Sequence, residues 1–157
     1  MNTSTRRTNN VEETQVAGEE FADLLQPCDI VVLTGTLGAG KTAFTQGLAR
    51  GLGVSDRVTS PTFTLVREHV CSHTSGIARL HHADLYRTNS LDEIEDLTFE
   101  ELVQPHGVAV VEWGEMAIGL WPPSIWAIEL DVINDDTRVI RVTQTPAPTR
   151  TAERWAK

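Results

Sequence analysis

Hydrophobic positions change period several times along the chain, and each change predicts an element. After ten mostly polar residues, Ala17, Phe21, Leu24 and Leu25 fall on one face of a 3.6-residue helix. Asn10 with Glu13 has the form of its N-cap, and Pro27 marks its stop. Residues 30–33 are an unbroken, β-branched-rich apolar run, the mark of a strand covered on both faces. After a Gly-rich turn, Phe44, Leu48 and Leu52 recur every fourth residue, a second helix closed by Gly51 or Gly53. Strands are predicted over 62–69 and, more weakly, 79–85, with a polar turn at 71–76 between them. Ser90 with Glu93 and Thr98 with Glu101 are successive capping boxes for two short helices. Residues 108–111 form another fully apolar strand ending at Glu112. Residues 125–133 and 138–143 flank Asn134-Asp135-Asp136 as a hairpin. The sum is one α/β domain with a mixed central sheet flanked by helices, parallel at its core and ending in an antiparallel hairpin. The domain is expected over 11–144, between flexible ends at 1–10 and 145–157.

Composition narrows the function. The chain has 157 residues, the size of one domain, and a formal charge of −9, from 22 acidic against 13 basic residues. Such a balance argues against binding nucleic acid unaided, because displacing counterions from phosphates needs a basic footprint. Cys28 and Cys71 are too few and too far apart for a disulfide framework, and are expected as reduced thiols. His81 and His82 are adjacent, so on a strand they face opposite sides and cannot share a metal. No apolar run reaches the length of a membrane span, and residues 1–10 lack the apolar core of a secretory signal. A cytoplasmic protein with no membrane contact is expected.

The chemistry concentrates in Gly35-Thr36-Leu37-Gly38-Ala39-Gly40-Lys41-Thr42, a full match to the phosphate-binding P-loop, G-x-x-x-x-G-K-[ST]. It follows an apolar strand and opens an amphipathic helix, the context the motif requires. Glycines let backbone N–H groups close around a phosphate, and the helix N-terminus adds partial positive charge. Lys41 is placed for the β- and γ-phosphates and the Thr42 hydroxyl for Mg²⁺. Lys41 is one of two lysines in the chain, the other being Lys157. With no lysine between them, the N/T-K-x-D signature of guanine-specific P-loop proteins cannot occur, so ATP is the expected nucleotide. A second acidic group is needed at a strand end. Glu112 and Asp84 both qualify, one for the metal and one for the attacking water. Ser60-Pro61-Thr62-Phe63 reads as either a γ-phosphate-sensing segment or a strand-entry turn. Trp113 reads as stacking on a base or packing at the sheet's end, and Trp121, Trp126 and Trp155 as structural. The acidic run 92–101 reads most simply as the wet face of the two short helices.

These motifs stand in order: Leu37-Gly-Ala-Gly-Lys-Thr42, Ser60-Pro-Thr-Phe63 with Leu65-Val66, Asp84-Leu-Tyr-Arg87, and Val111-Glu-Trp113. Together, over about 14–143, they resemble the TsaE (YjeE) family of small bacterial P-loop ATPases. That family is needed for threonylcarbamoyladenosine formation at position 37 of tRNAs reading ANN codons. The resemblance implies nucleotide contacts from Leu37, Gly38, Ala39, Gly40, Lys41, Thr42 and Ala43. It implies Mg²⁺ on Thr42 and Glu112, hydrolysis through Asp84, Trp113 beside the nucleotide, Thr14 on the adenine side, and residues 60–63 as the switch. It also implies weak ATPase activity and docking on the TsaB–TsaD heterodimer, with tRNA met only through that partner. The chain departs from the family at Thr36, where Asp is usual, and at His81-His82, where one His is usual. A small-molecule kinase would need an Arg-bearing lid, for which Arg79 and Arg87 are the mid-chain candidates. A nucleotide-sensing protein that never hydrolyses is the other competitor.

Overall fold

In the computed structural model, residues 3–61, 66–72, 76–86, 95–96, 98–114, 121–122, 124–145 and 155 are described. Among them the elements are β1 (Thr3–Thr8), α1 (Val11–Phe21), β2 (Ile30–Thr34), α2 (Lys41–Gly51), β3 (Val66–Val70), β4 (Arg79–Asp84), α3 (Phe99–Leu102), β5 (Gly107–Glu112), β6 (Ile125–Val132) and β7 (Arg138–Thr145). The strands make one sheet in the order β1-β7-β6-β2-β5-β4-β3.

The two apolar runs lie at its centre because both their faces must be covered. β2 pairs in parallel with β5 on one side and β6 on the other, and β4 extends the parallel block beside β5. β7, β1 and β3 join antiparallel at the flanks. Alternation along each strand divides two cores. Val31, Leu33, Val108 and Val110 face one with Phe21, Phe44 and Leu48 of the α1 and α2 side. Ile30, Val32, Ala109 and Val111 face the other with Phe99 and Val103. The helices α1 and α2 meet through glycine: a Cβ on Gly47 would stand 1.7 Å from the Gln15 carbonyl oxygen, and one on Gly18 2.1 Å from that of Phe44.

Several expectations change. Asn10 caps α1 as read, its Oδ1 accepting from Glu13 N at 2.8 Å, but the helix ends at Phe21. A 3-10 turn over Ala22–Leu24 precedes Pro27. Thr98 begins α3 with no side-chain cap, at φ 45. Residues 1–10 were expected to be loose, but Thr3–Thr8 is an edge strand in register with β7 from Thr3↔Thr143 to Thr8↔Arg138. Its residues are polar, so no apolar period announces it. The free edge of β7 supplies its partner, and Arg6 ties it to Glu20 at 2.6 Å. In the tail, Trp155 is 4% exposed; its Nε1 donates to Ala17 O at 2.8 Å and its ring meets Phe21 edge-on. Thr145, expected as the first residue of the tail, closes β7 opposite Ile125, whereas the expected capping box at Ser90, residues 62–65, Arg87 and the tail's other residues lie outside the described residues. Among the described residues no helix is long and apolar enough to cross a membrane.

Candidate active site

The parallel strands point their carboxyl ends the same way, and the site gathers there, where open α/β sheets hold ligands. The β2–α2 loop turns on Gly38 (φ 81) and Gly40 (φ 103), backbone conformations that L side chains rarely adopt. Ala39 N closes onto Thr36 O at 3.0 Å, and Gly40 stands at the N-cap of α2 without a side-chain cap. The first-turn N–H groups of α2 have no acceptor within the helix, the feature that suits a helix N-terminus to anions, and Lys41, Thr42 and Ala43 of that turn line the cleft. Lys41, 5% exposed, reaches back along the loop, its Nζ donating to Gly35 O at 2.7 Å and Thr36 O at 2.9 Å.

Strand register brings the two acids together. Asp84 is opposite Glu112 at the ends of β4 and β5. Glu112 is 2% exposed and held at both oxygens. The Thr42 hydroxyl donates to Oε1 at 2.9 Å, and His82 Nε2 bonds Oε2. Thr42 also contacts the Ser60 hydroxyl at 3.0 Å, linking the P-loop to Ser60. Asp84 accepts from Tyr86 N at 3.0 Å. Burial lifts its carboxyl above the usual carboxylate range, and the nearby Glu112 charge adds to the rise. Trp113, at φ 62, is a bulky residue in the left-handed region. Its ring lies over Lys41 Nζ at 3.9 Å and stacks on Tyr86 at 4.7 Å between centroids. Trp113 thus stands on the Lys41 side of the site.

Leu37, Gly38, Gly40, Lys41, Thr42, Ala43, Asp84, Glu112 and Trp113, all singled out from the sequence, line one cleft of about 390 Å³ with Ser60, Pro61 and Tyr86. Ala39 is fully buried behind the loop. Thr14 is not in that cleft. It lies on the other flank of the loop, in a hollow of about 280 Å³ shared with Gly38, Gly40, Ala43 and Arg138. Its hydroxyl is 2.8 Å from that of Thr8. Of the two histidines, His82 reaches the site; His81 faces away, and burial lowers its pKa. Arg79 pairs with Glu68 on β3 and so forms no lid over the loop. Two residues were missed. Tyr86 has no assigned role in the sequence, although an aromatic two residues after Asp84 is a usable signal. Arg138 had none, because it meets the P-loop only through the fold.

The residues fit a magnesium ion. Thr42 and Glu112 place a hydroxyl and a carboxylate side by side, hard oxygen donors of the kind Mg²⁺ takes together with phosphate oxygens and water.

A family model described as "Threonylcarbamoyl adenosine biosynthesis protein TsaE" matches residues 8–140. Among curated relatives, the protein of that name from Bacillus subtilis is 40% identical over 137 residues, 87% of this chain and 83% of the relative. The one from Streptomyces coelicolor is 42% identical over 142 residues, covering 88% and 91%. The crystal structure of Bacillus subtilis YdiB superposes with a TM-score of 0.70 at 33% identity, over 92% of this chain and 86% of that one. The P-loop NTPase-like fold and these likenesses along nearly its whole length agree, and the chain belongs to the TsaE family.

Proposed function

We propose that the protein is an ATP-binding and ATP-hydrolysing accessory factor of tRNA modification. It acts in threonylcarbamoylation of adenosine 37 in tRNAs reading ANN codons, by nucleotide-dependent docking on the TsaB–TsaD heterodimer. Supporting this is the convergence in one cleft of Lys41, Thr42, Glu112 and Asp84, within a chain whose relatives are named for threonylcarbamoyladenosine biosynthesis.

Each residue has a task. The α2 N-terminus and Lys41 hold the β- and γ-phosphates, the lysine giving up its loop carbonyls to do so. Thr42 and Glu112 would hold Mg²⁺, which would supply positive charge to offset that of the phosphates. His82 fixes the rotamer of Glu112. Asp84 orients the attacking water and takes its proton as the γ-phosphoryl group leaves ADP; its raised pKa makes it a better base. Trp113 and Tyr86 cover the phosphate end and exclude bulk water. The hollow at Thr14 lies on the side left for the base. The acidic chain leaves tRNA to its partner.

Two measurements test this reading. Lys41→Ala removes a charge-assisted phosphate contact worth about 1.5–3 kcal/mol, so ATP affinity measured by calorimetry should fall roughly 10- to 150-fold. Unchanged affinity would refute the nucleotide site. Mixing the chain with TsaB and TsaD should give a complex that forms with ATP, dissociates without it, and raises ATP turnover. Equal complex formation with and without ATP would refute nucleotide-dependent docking.

A further inference from the structure

The freedom that lets a P-loop form its anion cradle also lets it fall apart. The peptide joining Gly38 to Ala39 and the one joining Ala39 to Gly40 each border a glycine at positive φ, where a peptide plane flips at little steric cost. A flip of the first would break the Ala39 N–H bond to Thr36 O, and a flip of the second would turn a carbonyl oxygen toward the phosphate in place of the Gly40 N–H. In a trans peptide the two groups point opposite ways, so holding a carbonyl outward holds the next N–H inward.

That hold comes from the far end of the chain. Arg138, at the start of β7, donates from Nε to Ala39 O and from Nη2 to Gly38 O, both at 3.2 Å. Its remaining nitrogen, Nη1, donates to the carbonyls of Asn134 at 2.7 Å, Thr137 at 3.0 Å and Asp135 at 3.2 Å. The planar guanidinium thus bridges the β6–β7 turn and the P-loop, a fixed fork that a lysine ammonium cannot reproduce. The turn is itself braced, since Asn134 Oδ1 accepts from Asp136 N at 3.0 Å and Thr137 N at 2.9 Å. We propose that Arg138 is a positioning residue of the P-loop: by pinning the Gly38 carbonyl it keeps the Ala39 N–H on Thr36 O, which closes the loop, and by pinning the Ala39 carbonyl it keeps the Gly40 N–H turned toward a bound β-phosphate. The inference deepens the nucleotide-site reading and rests on it for its ligand, but not for the contact itself.

Arg138→Met keeps an apolar stem and deletes the donors. ADP affinity should fall about tenfold or more, while AMP, which has no β-phosphate, loses less than threefold. Arg138→Lys should restore at most part of the difference. Hydrogen exchange at Ala39, whose N–H is bonded to Thr36 O, should quicken severalfold in the nucleotide-free protein, an arm that needs no nucleotide. Equal losses for ADP and AMP, or unchanged exchange at the Ala39 amide, would overturn the proposal. Failure of the parent protein to bind ADP would instead count against the nucleotide site, leaving the exchange arm to decide Arg138. Should Arg138→Met not fold, Asn134→Ala loosens the exposed turn behind the guanidinium. It should lower the ADP-to-AMP preference in the same direction, and an unaltered preference together with unaltered exchange would refute the proposal.

Discussion

Asp84 and Glu112 end neighbouring strands, yet their surroundings set them apart. Both oxygens of Glu112 are engaged by Thr42 and His82, whereas burial lifts the Asp84 pKa against a single backbone donor, Tyr86 N. A carboxyl whose native pKa is raised favours folding only while protonated. That contribution is complete below the unfolded pKa of about 3.9 and is lost as pH rises through the native value. At neutral pH, ionised Asp84 therefore opposes folding, a cost often found at catalytic positions. Asp84→Asn should raise the Tm above that of the parent at pH 7, and the gap should close as pH falls below the ordinary carboxylate range. The same variant should keep ATP binding while turnover drops about 10²- to 10⁴-fold, the usual contribution of a general base. Thermal melts over pH and a phosphate-release assay check the two halves. Retained turnover would show that another group serves the water.

At the scale of elements, α2 carries Lys41 and Thr42 while α1 carries Thr14, so the packing of the two helices fixes the flanks of the loop relative to each other. Gly47 and Gly18 make that packing close. Two effects compete in Gly47→Ala. Alanine gains about 1 kcal/mol in helix propensity, but its Cβ would meet the Gln15 carbonyl at 1.7 Å, and backbone is the least able to yield. Overpacking of this kind typically costs about 1–3 kcal/mol net of relaxation. The clash should win, and urea unfolding should show a loss of stability of that size, with weaker ATP binding as α2 shifts. A variant as stable as the parent would mean that the helices separate freely.

For the whole molecule, charge decides what can be met directly. At −9, long-range repulsion keeps a polyanion away, and several of the described arginines are paired locally. Arg6 holds Glu20, Arg50 holds Glu19 and Arg79 holds Glu68. Arg141 bridges Glu129 and Asp131, and Arg138 braces the P-loop. The isolated protein should therefore give no electrophoretic shift of tRNA at physiological salt. A shift that weakens as salt rises would reveal a basic footprint and undo the division of labour with a tRNA-holding partner.

The sequence by itself determined the features governed by local rules. The α1 cap at Asn10, the two doubly covered strands, the P-loop and the β6–β7 hairpin all depend on spacing within a few residues. The acids at the ends of β4 and β5 were legible for the same reason, since an apolar run that stops at Asp84 or Glu112 marks a strand end without reference to the fold. Only the tertiary structure decided which partners these elements would find. Strand order made Asp84 and Glu112 neighbours and selected His82 over His81. The free edge of β7 recruited a polar N-terminal strand that no apolar period announces, and the α1 side of the core captured Trp155 from a tail expected to be loose. Arg138 met Gly38 and Ala39 across roughly one hundred positions of chain. Periodicity is a property of neighbours along the backbone, whereas these contacts arise from closing long loops. Their entropy cost is offset by burial and hydrogen bonds that exist only once the sheet has assembled.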